Sequence, residues 1–252
     1  MSEADLSLAH SRERYDEERR QGQLIASGEE KAWGWFGPAG TIRAERRAEF
    51  LIQQAKLAPG ISCLELGCGT GEFTTRLTRS RCDLFGLELS EATAKRCADR
   101  VSGKASIIVG NIETGQGLEG RMFDAIVGIS VLHHLNMDLC FKSTFPHLKP
   151  GGRFAFVEPN MANPQIWAER HIGFVKRWRR VTAHETAFHS RQLRRQFEAA
   201  GLVVDVCRPF EFLHPSTPRW LIRPMLFLER MLSHTPLVGI AGSIQIAGYK
   251  PS

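Results

Sequence analysis

No cysteine in this sequence has another cysteine three residues away. The six, at 63, 68, 82, 97, 140 and 207, form neither a Cys-x-x-Cys pair nor a Cys/His zinc spacing. That pattern excludes a disulfide framework and a structural zinc site and leaves buried, reduced thiols, with no metal expected. No stretch approaches the roughly 18 apolar residues of a membrane span. The most apolar region, Arg219 to Tyr249, is cut by Arg223, Pro224, Glu229, Arg230, His234 and Pro236. The first twenty residues, MSEADLSLAHSRERYDEERR, hold no apolar segment of the kind that precedes a signal cleavage site. Neither a Gly-X-Y period nor heptads occur. The expectation is a cytoplasmic protein, with peripheral contact at a membrane left open. The sequence does have 42% hydrophobic residues in 252, including 15 Phe and 5 Trp. This is enough for one α/β domain with an elaboration.

From residue 42 to 158 strand and helix signals alternate. Residues 43–56 read as an amphipathic helix ended by Pro59-Gly60, and ISCLEL (61–66) is a short apolar run. A helix is expected from Glu72, a strand over 82–87, a helix from the Ser90-Glu91 start signal to Val101, and a strand over 105–109. A strand over 124–130, a helix over 139–148, a turn at Pro150-Gly151-Gly152 and a strand over 153–157 follow. Near-continuous apolar strands between helices mean a parallel sheet covered on both faces. Beyond 158 the rhythm changes to helices over 165–181 and 190–200, a strand over 202–207, a proline-rich insertion over 209–242 and a last strand over 243–249. Two final strands without a crossover helix imply an antiparallel return. The division expected is an N-terminal arm, 1–41, folded over the active site with Trp33, Trp35 and Phe36, then a domain over 42–252 with cap insertions at about 160–200 and 209–242.

The segment Leu64-Glu65-Leu66-Gly67-Cys68-Gly69-Thr70-Gly71-Glu72 places glycines directly after a strand and before a helix, where bare backbone can approach a ligand. Glu88 ends the next strand, 21 residues after Gly67, and a carboxylate there can accept hydrogen bonds from both ribose hydroxyls of a nucleoside. Dinucleotide sites use G-x-G-x-x-G and present a helix N-terminus to a pyrophosphate. Here the spacing is G-x-G-x-G after Glu65, whose charge would repel a pyrophosphate and suits a cofactor bearing an amino group and a sulfonium.

On these residues the chain resembles the class I S-adenosylmethionine-dependent methyltransferases, in the branch acting on small molecules and lipids. The resemblance runs over about 42–158 through motifs and over the rest through layout. It implies a Rossmann-like seven-stranded methyltransferase sheet, last strand antiparallel, flanked by helices. S-adenosylmethionine would be the cofactor and S-adenosylhomocysteine the product. Glu65, Gly67, Cys68, Gly69 and Gly71 match the motif that holds the methionine part, Glu88 the ribose-binding acid, and Leu89, Asn111 and Ile112 the surroundings of the adenine. Asn111 stands where that family usually carries Asp, and its amide oxygen can still accept from the adenine amino group. Further matches are FDAIV (123–127), SVLHHL (130–135) opening on Ser130, LKPGG (148–152) and FVEP (156–159).

His133, His134 and Glu158 follow the fourth and fifth strands at the ligand edge and are the candidate catalytic groups, with Glu158 the carboxylate expected to touch substrate. Asp124 begins a strand, far from that edge, and reads as structural. The net charge of +6 is local: residues 170–195 hold eight Lys or Arg and the single acid Glu185. HIGFVKRWRRV (171–181) reads as a basic amphipathic helix, and Trp220, Leu221, Met225 to Leu228, Met231 and Leu232 as an apolar wall beside it. Together they suggest a cap for a small-molecule or amphiphilic acceptor of acidic or lipid-linked character, with contact at an anionic membrane. Nucleic acid is disfavoured, since the charge is confined to one block and no Asn/Asp-Pro-Pro-aromatic motif occurs. The reading is methyl transfer to oxygen, or to carbon or nitrogen. An RNA methyltransferase, a nicotinamide oxidoreductase and a non-catalytic cofactor-binding protein are the alternatives.

Overall fold

Four apolar runs, SCLEL, DLFGLE, SIIV and FDAIVGI, form β1 (Ser62–Leu66), β2 (Asp83–Glu88), β3 (Ser106–Val109) and β4 (Phe123–Ile129). The computed structural model describes residues 14–20, 22–24, 34–172 and 186–252. These four strands pair in parallel, β4 pairs in parallel with β5 (Leu148–Pro159), and β7 (Ser243–Tyr249) runs antiparallel between β5 and β6 (Val203–Phe210). The order β3-β2-β1-β4-β5-β7-β6 turns around between β1 and β4. Open α/β sheets bind ligands at that reversal, outside the carboxyl ends of the strands.

The two faces are packed differently. Alternation along β4 and β5 sends Ile126, Phe154 and Phe156 to one side, where Phe197 of α6 (Ser190–Ala199) meets Phe154 and Phe156 at ring separations of 4.8 and 5.9 Å. Ala125, Val127, Ala155 and Val157 face the other way. These smaller side chains accept Phe50 and Leu51 of α1 (Pro38–Gln54). Ser90 caps α3 (Glu91–Val101), its side chain accepting from the Thr93 amide. α2 (Glu72–Leu77) follows the glycine loop.

Several boundaries differ from expectation for local reasons. α1 begins at Pro38, five residues early, because proline suits the first turn, where its missing N–H has no helical partner. The helix expected over 139–148 is α4 (Met137–Ser143) followed by a 3-10 turn over Phe145–His147; Pro146 cannot continue the α-helical ladder. Pro150-Gly151-Gly152 lies inside β5 instead of before it, opposite a register shift between Phe123 and Ala125. β6 runs on to Phe210, and the 209–242 insertion contains α7 (Arg219–Leu232) in spite of Pro224. The helix expected over 165–181 is described as α5 (Pro164–His171). Lys176, Arg177, Arg179, Arg180 and Glu185 of the cationic block lie outside the described residues, as does Trp33.

Candidate functional site

The carboxyl ends of β1, β2, β3 and β4 open on a cavity of about 790 Å³. Its wall includes Gly67, Cys68, Gly69, Glu88, Leu89, Asn111, Ile112 and Ser130, so eight of the ten residues read as cofactor-binding come together there. The loop after β1 holds its shape through backbone that only glycine adopts readily: Gly67, Gly69 and Gly71 have φ of +63, +52 and +87°. Gly67 is also sterically confined, since a Cβ there would lie 2.6 Å from Val131 Cγ2. The amides of Gly67 and Cys68 donate to the Leu87 carbonyl at 2.9 and 3.2 Å and draw the loop onto β2.

Glu88 Oε2 accepts from the Gly69 amide at 2.9 Å and Oε1 from the Ser90 amide at 3.0 Å. Burial raises its pKa, against the backbone hydrogen bonds, which lower it. Thr93 and the Leu89 amide also bond to this carboxylate, so a ligand donor would share it with the protein. Cys68 is buried against Gly86, and its thiol is pushed up by the hydrogen bond with Cys97 and then by burial, so it packs as a small apolar group.

Two members of the motif do not line the cavity. Gly71 is the N-cap of α2 and packs on Cys97. Glu65 is 3% exposed beneath the loop and bonds to Thr74. Burial raises its pKa to about 8, and its Oε2 has no partner among the described residues. Strand alternation explains the placement: Glu65 points to the face of Cys63, away from Leu64 and Leu66.

Glu158 departs from the expectation of a substrate-facing carboxylate. It is fully buried. Its Oε1 accepts from the Val131 and Leu132 amides at 3.0 and 2.9 Å, and its Oε2 lies 2.8 Å from His133 Nδ1. The strand register puts it under the loop that leaves β4, beside Ile244 of β7. His133 is 6% exposed, lines the cavity and lies against His134 with ring centres 4.1 Å apart. His134 Nδ1 is 3.0 Å from Glu18 Oε1. The preceding Ser130 has φ of +53°, a conformation that costs a non-glycine residue energy and recurs at functional sites.

Other wall residues gave no signal in the sequence. Within the helical residues 14–20, Tyr15 Oη donates to Glu113 Oε2 at 2.7 Å and Arg14 pairs with the same carboxylate. Arg43 and Arg47 of α1 both bond Glu211 Oε2 and stack on Trp35 at 5.2 and 4.9 Å. Trp35 in turn meets Phe73 edge-on at 5.1 Å, which connects the arm to the helix after the glycine loop. Phe36 is exposed and not in the wall. Asp124, as expected, serves structure: it accepts from Ser62 N at 3.0 Å and pairs with Lys149 at 2.8 Å.

Residues 40–205 match the family model described as "Methyltransferase domain". The chain is similar to squalene methyltransferase 1 of Botryococcus braunii, 30% identical over 124 residues, 46% of this chain and 32% of that protein. It is also similar to the ubiquinone biosynthesis O-methyltransferase of Sinorhizobium fredii, 25% identical over 170 residues, 64% of this chain and 67% of that one. The chain thus spans about a third of the length of the first relative. In fold it resembles the N-methyltransferase NodS of Bradyrhizobium japonicum, crystallised with S-adenosyl-L-homocysteine, with a TM-score of 0.57 and 16% identity over 86% of this chain and 90% of that one. With the glycine loop, the strand-end acid and the sheet order all in place, the family match is decisive: the chain belongs to the methyltransferase-domain family.

Proposed function

We propose that the protein transfers a methyl group from S-adenosylmethionine to an oxygen of a small or lipid-like acceptor, with His133 as the proton acceptor. The observation that carries this reading is one cavity lined by both Glu88, fixed by the Gly69 and Ser90 amides, and His133, which is held from behind by the buried Glu158.

The residues fit the cofactor. Gly67 and Gly69 leave backbone open to close approach, Glu88 offers two carboxylate oxygens to a ribose diol, and Leu89, Asn111 and Ile112 border the place of a base. Asn111 Oδ1 already accepts from the Glu113 amide at 2.8 Å, so it offers an adenine amino group its second lone pair only. Arg43 and Arg47 share one carboxylate between them and give the wall a cationic point for the cofactor's own carboxylate. The acids Glu18, Glu72 and Glu113 in the same wall suit its positive centres.

When bound, S-adenosylmethionine supplies an activated, electrophilic methyl group on sulfur. The chain's residues align and deprotonate the acceptor. In this reading His133 Nδ1 donates to Glu158 Oε2, whose partner oxygen already holds two amides, and Nε2 is then the basic nitrogen. Alignment contributes up to about 7 to 11 kcal/mol, and a base at an acceptor hydroxyl roughly 100-fold or more. Glu158 acts through His133 as a positioning residue, and His134 acts against that ring. The N-terminal helical residues, tied to Glu113 and His134, close the cavity against water.

Squalene and a ubiquinone precursor point to an apolar acceptor, and Trp35, Phe73, Leu213 and Ile166 give the wall apolar surface to receive one. An acidic or lipid-linked group on the acceptor and contact with an anionic membrane belong to the same reading. Calorimetry with S-adenosylmethionine, S-adenosylhomocysteine and NAD tests the first part. Binding of the two adenosyl compounds and not of NAD is expected, and the opposite order would overturn the proposal. Turnover of labelled cofactor with polyprenyl phenols tests the second.

A further inference from the structure

α7 packs one face inward and leaves the other bare. Ile222, Met225 and Leu226 meet Ala39, Ile42 and Leu213. Glu229, 8% exposed, turns in to pair with Arg46 and accepts from the Phe212 amide at 2.8 Å. The opposite face presents Trp220, Phe227, Leu228 and Met231, exposed to 75, 69, 46 and 58%. Their spacing of i, i+7, i+8 and i+11 makes them one stripe along the helix. Arg219, Arg223 and Arg230, all exposed, follow i, i+4 and i+11 and form a row along one edge of that stripe. From Pro215 to Ser252 the sequence holds one acid, the inward-turned Glu229.

We propose that this face of α7 docks the protein on an anionic bilayer. Large aromatic and aliphatic side chains held in water cost free energy in proportion to the apolar surface they expose, and contiguous patches of them are rare on surfaces that meet only water. An in-plane helix buries such a stripe among the acyl chains while arginines extend their stems to reach headgroup phosphates. The charge selects this occupant. An antiparallel symmetric contact with a second copy would bring arginine row against arginine row, and in any symmetric contact the helix offers no exposed acid to meet either row. The contact is peripheral, because no described helix is long and apolar enough to cross a membrane.

Docking there leaves α7 between the bilayer and one wall of the cavity. Leu213, which packs on Ile222 of α7, also lines the cavity wall. A lipid-like acceptor held in that membrane would then lie on the side of the molecule that α7 covers. This consequence rests on the methyl-transfer reading, whereas docking itself does not.

The test is co-sedimentation of the full chain, without cofactor, with vesicles of phosphatidylcholine alone and of phosphatidylcholine containing about one third phosphatidylglycerol. The anionic vesicles should bind it more tightly at low salt than at high salt. Arg219→Gln with Arg223→Gln should weaken binding to the anionic vesicles roughly tenfold or more, and Phe227→Gln should weaken binding to any vesicle that retains the protein. All these side chains are exposed, and unchanged thermal melting would confirm that the variants fold. Absence of binding to anionic vesicles, or binding that Phe227→Gln leaves intact, would overturn the proposal. So would a wild-type dimer that Phe227→Gln separates and that ignores vesicles, which assigns the face to a second copy. Calorimetry with S-adenosylhomocysteine on the same samples keeps the two claims apart: cofactor binding without vesicle binding refutes docking alone, and the reverse refutes the functional reading alone.

Discussion

His133 Nδ1 lies 2.8 Å from Glu158 Oε2, and the same carboxylate accepts main-chain hydrogen bonds from Val131 and Leu132 through its other oxygen. One buried side chain therefore sets both the path of the loop after β4 and the orientation of the imidazole at the cavity. The arrangement separates support from the cavity surface: Glu158 is sealed inside and His133 lines the wall.

Replacing His133 by Gln should lower kcat roughly 100-fold, the usual worth of a general base at a hydroxyl, with little change in S-adenosylhomocysteine affinity. Glu158→Gln should lower kcat while KM stays near its starting value, and Glu158→Asp should recover part of the loss. Full removal by Glu158→Ala strands the buried amides of Val131, Leu132 and His133 and should cost about 1 to 3 kcal/mol in stability for each of the two shorter bonds, read from denaturant melts. Wild-type kcat in Glu158→Gln would remove the positioning role.

Glu88→Ala should weaken cofactor binding by about 2 kcal/mol or more, roughly 30-fold, since two hydrogen bonds to a carboxylate are lost together with the partner of the Gly69 amide. Calorimetry measures this directly. Unchanged affinity would remove Glu88 from the ribose site.

Much of this was legible in the sequence, and the limit is physical. β1, β2 and β4 read clearly because strands buried on both faces are near-continuous apolar runs, and the acid at position 88 reads because it ends one of them. Glu158 read correctly as standing at the ligand edge, but a sequence does not show that its register turns it beneath the 131–133 loop. Tyr15 meets Glu113 and Glu18 meets His134 across 98 and 116 residues, and no periodicity carries such contacts. The helix over 219–232 was hidden by Pro224, which sits on the exposed face and interrupts a pattern that otherwise follows helical spacing.

Gly67→Ala and Gly60→Ala form an instructive pair. Both glycines have positive φ, +63 and +86°, so each substitution carries the same kind of backbone strain. At Gly60 nothing lies within 4 Å of the added methyl, whereas at Gly67 it would meet Val131 Cγ2 at 2.6 Å. Gly60→Ala should cost about 1 kcal/mol and Gly67→Ala clearly more, with cofactor affinity falling only in the second. Equal costs in thermal melts would mean that Val131 yields freely.

Glu65 makes stability depend on pH. Burial raises its pKa from 4.5 to about 8 in the folded chain, while in the unfolded chain it titrates near 4.5. Between those values the folded state binds the extra proton, so the slope of unfolding free energy against pH is negative. The contribution of Glu65 is thus fully present below about pH 4.5, declines as pH rises through the folded pKa, and levels off above about 8. Glu65→Gln, which keeps the shape of the neutral acid and cannot ionise, should match the wild type near pH 5 and exceed it on the alkaline side by an amount on the order of a few kcal/mol. Denaturant melts of the cofactor-free protein at several pH values measure the difference, and parallel curves for the two proteins would show that Glu65 is ionised in the fold. Because Glu65 Oε2 has no partner among the described residues, the same variant also distinguishes two roles for the side chain. A carboxylate that only supports the loop predicts unchanged S-adenosylmethionine affinity in Glu65→Gln, whereas one that meets the cofactor's amino group predicts weaker binding and release of a proton when the wild type binds near neutral pH.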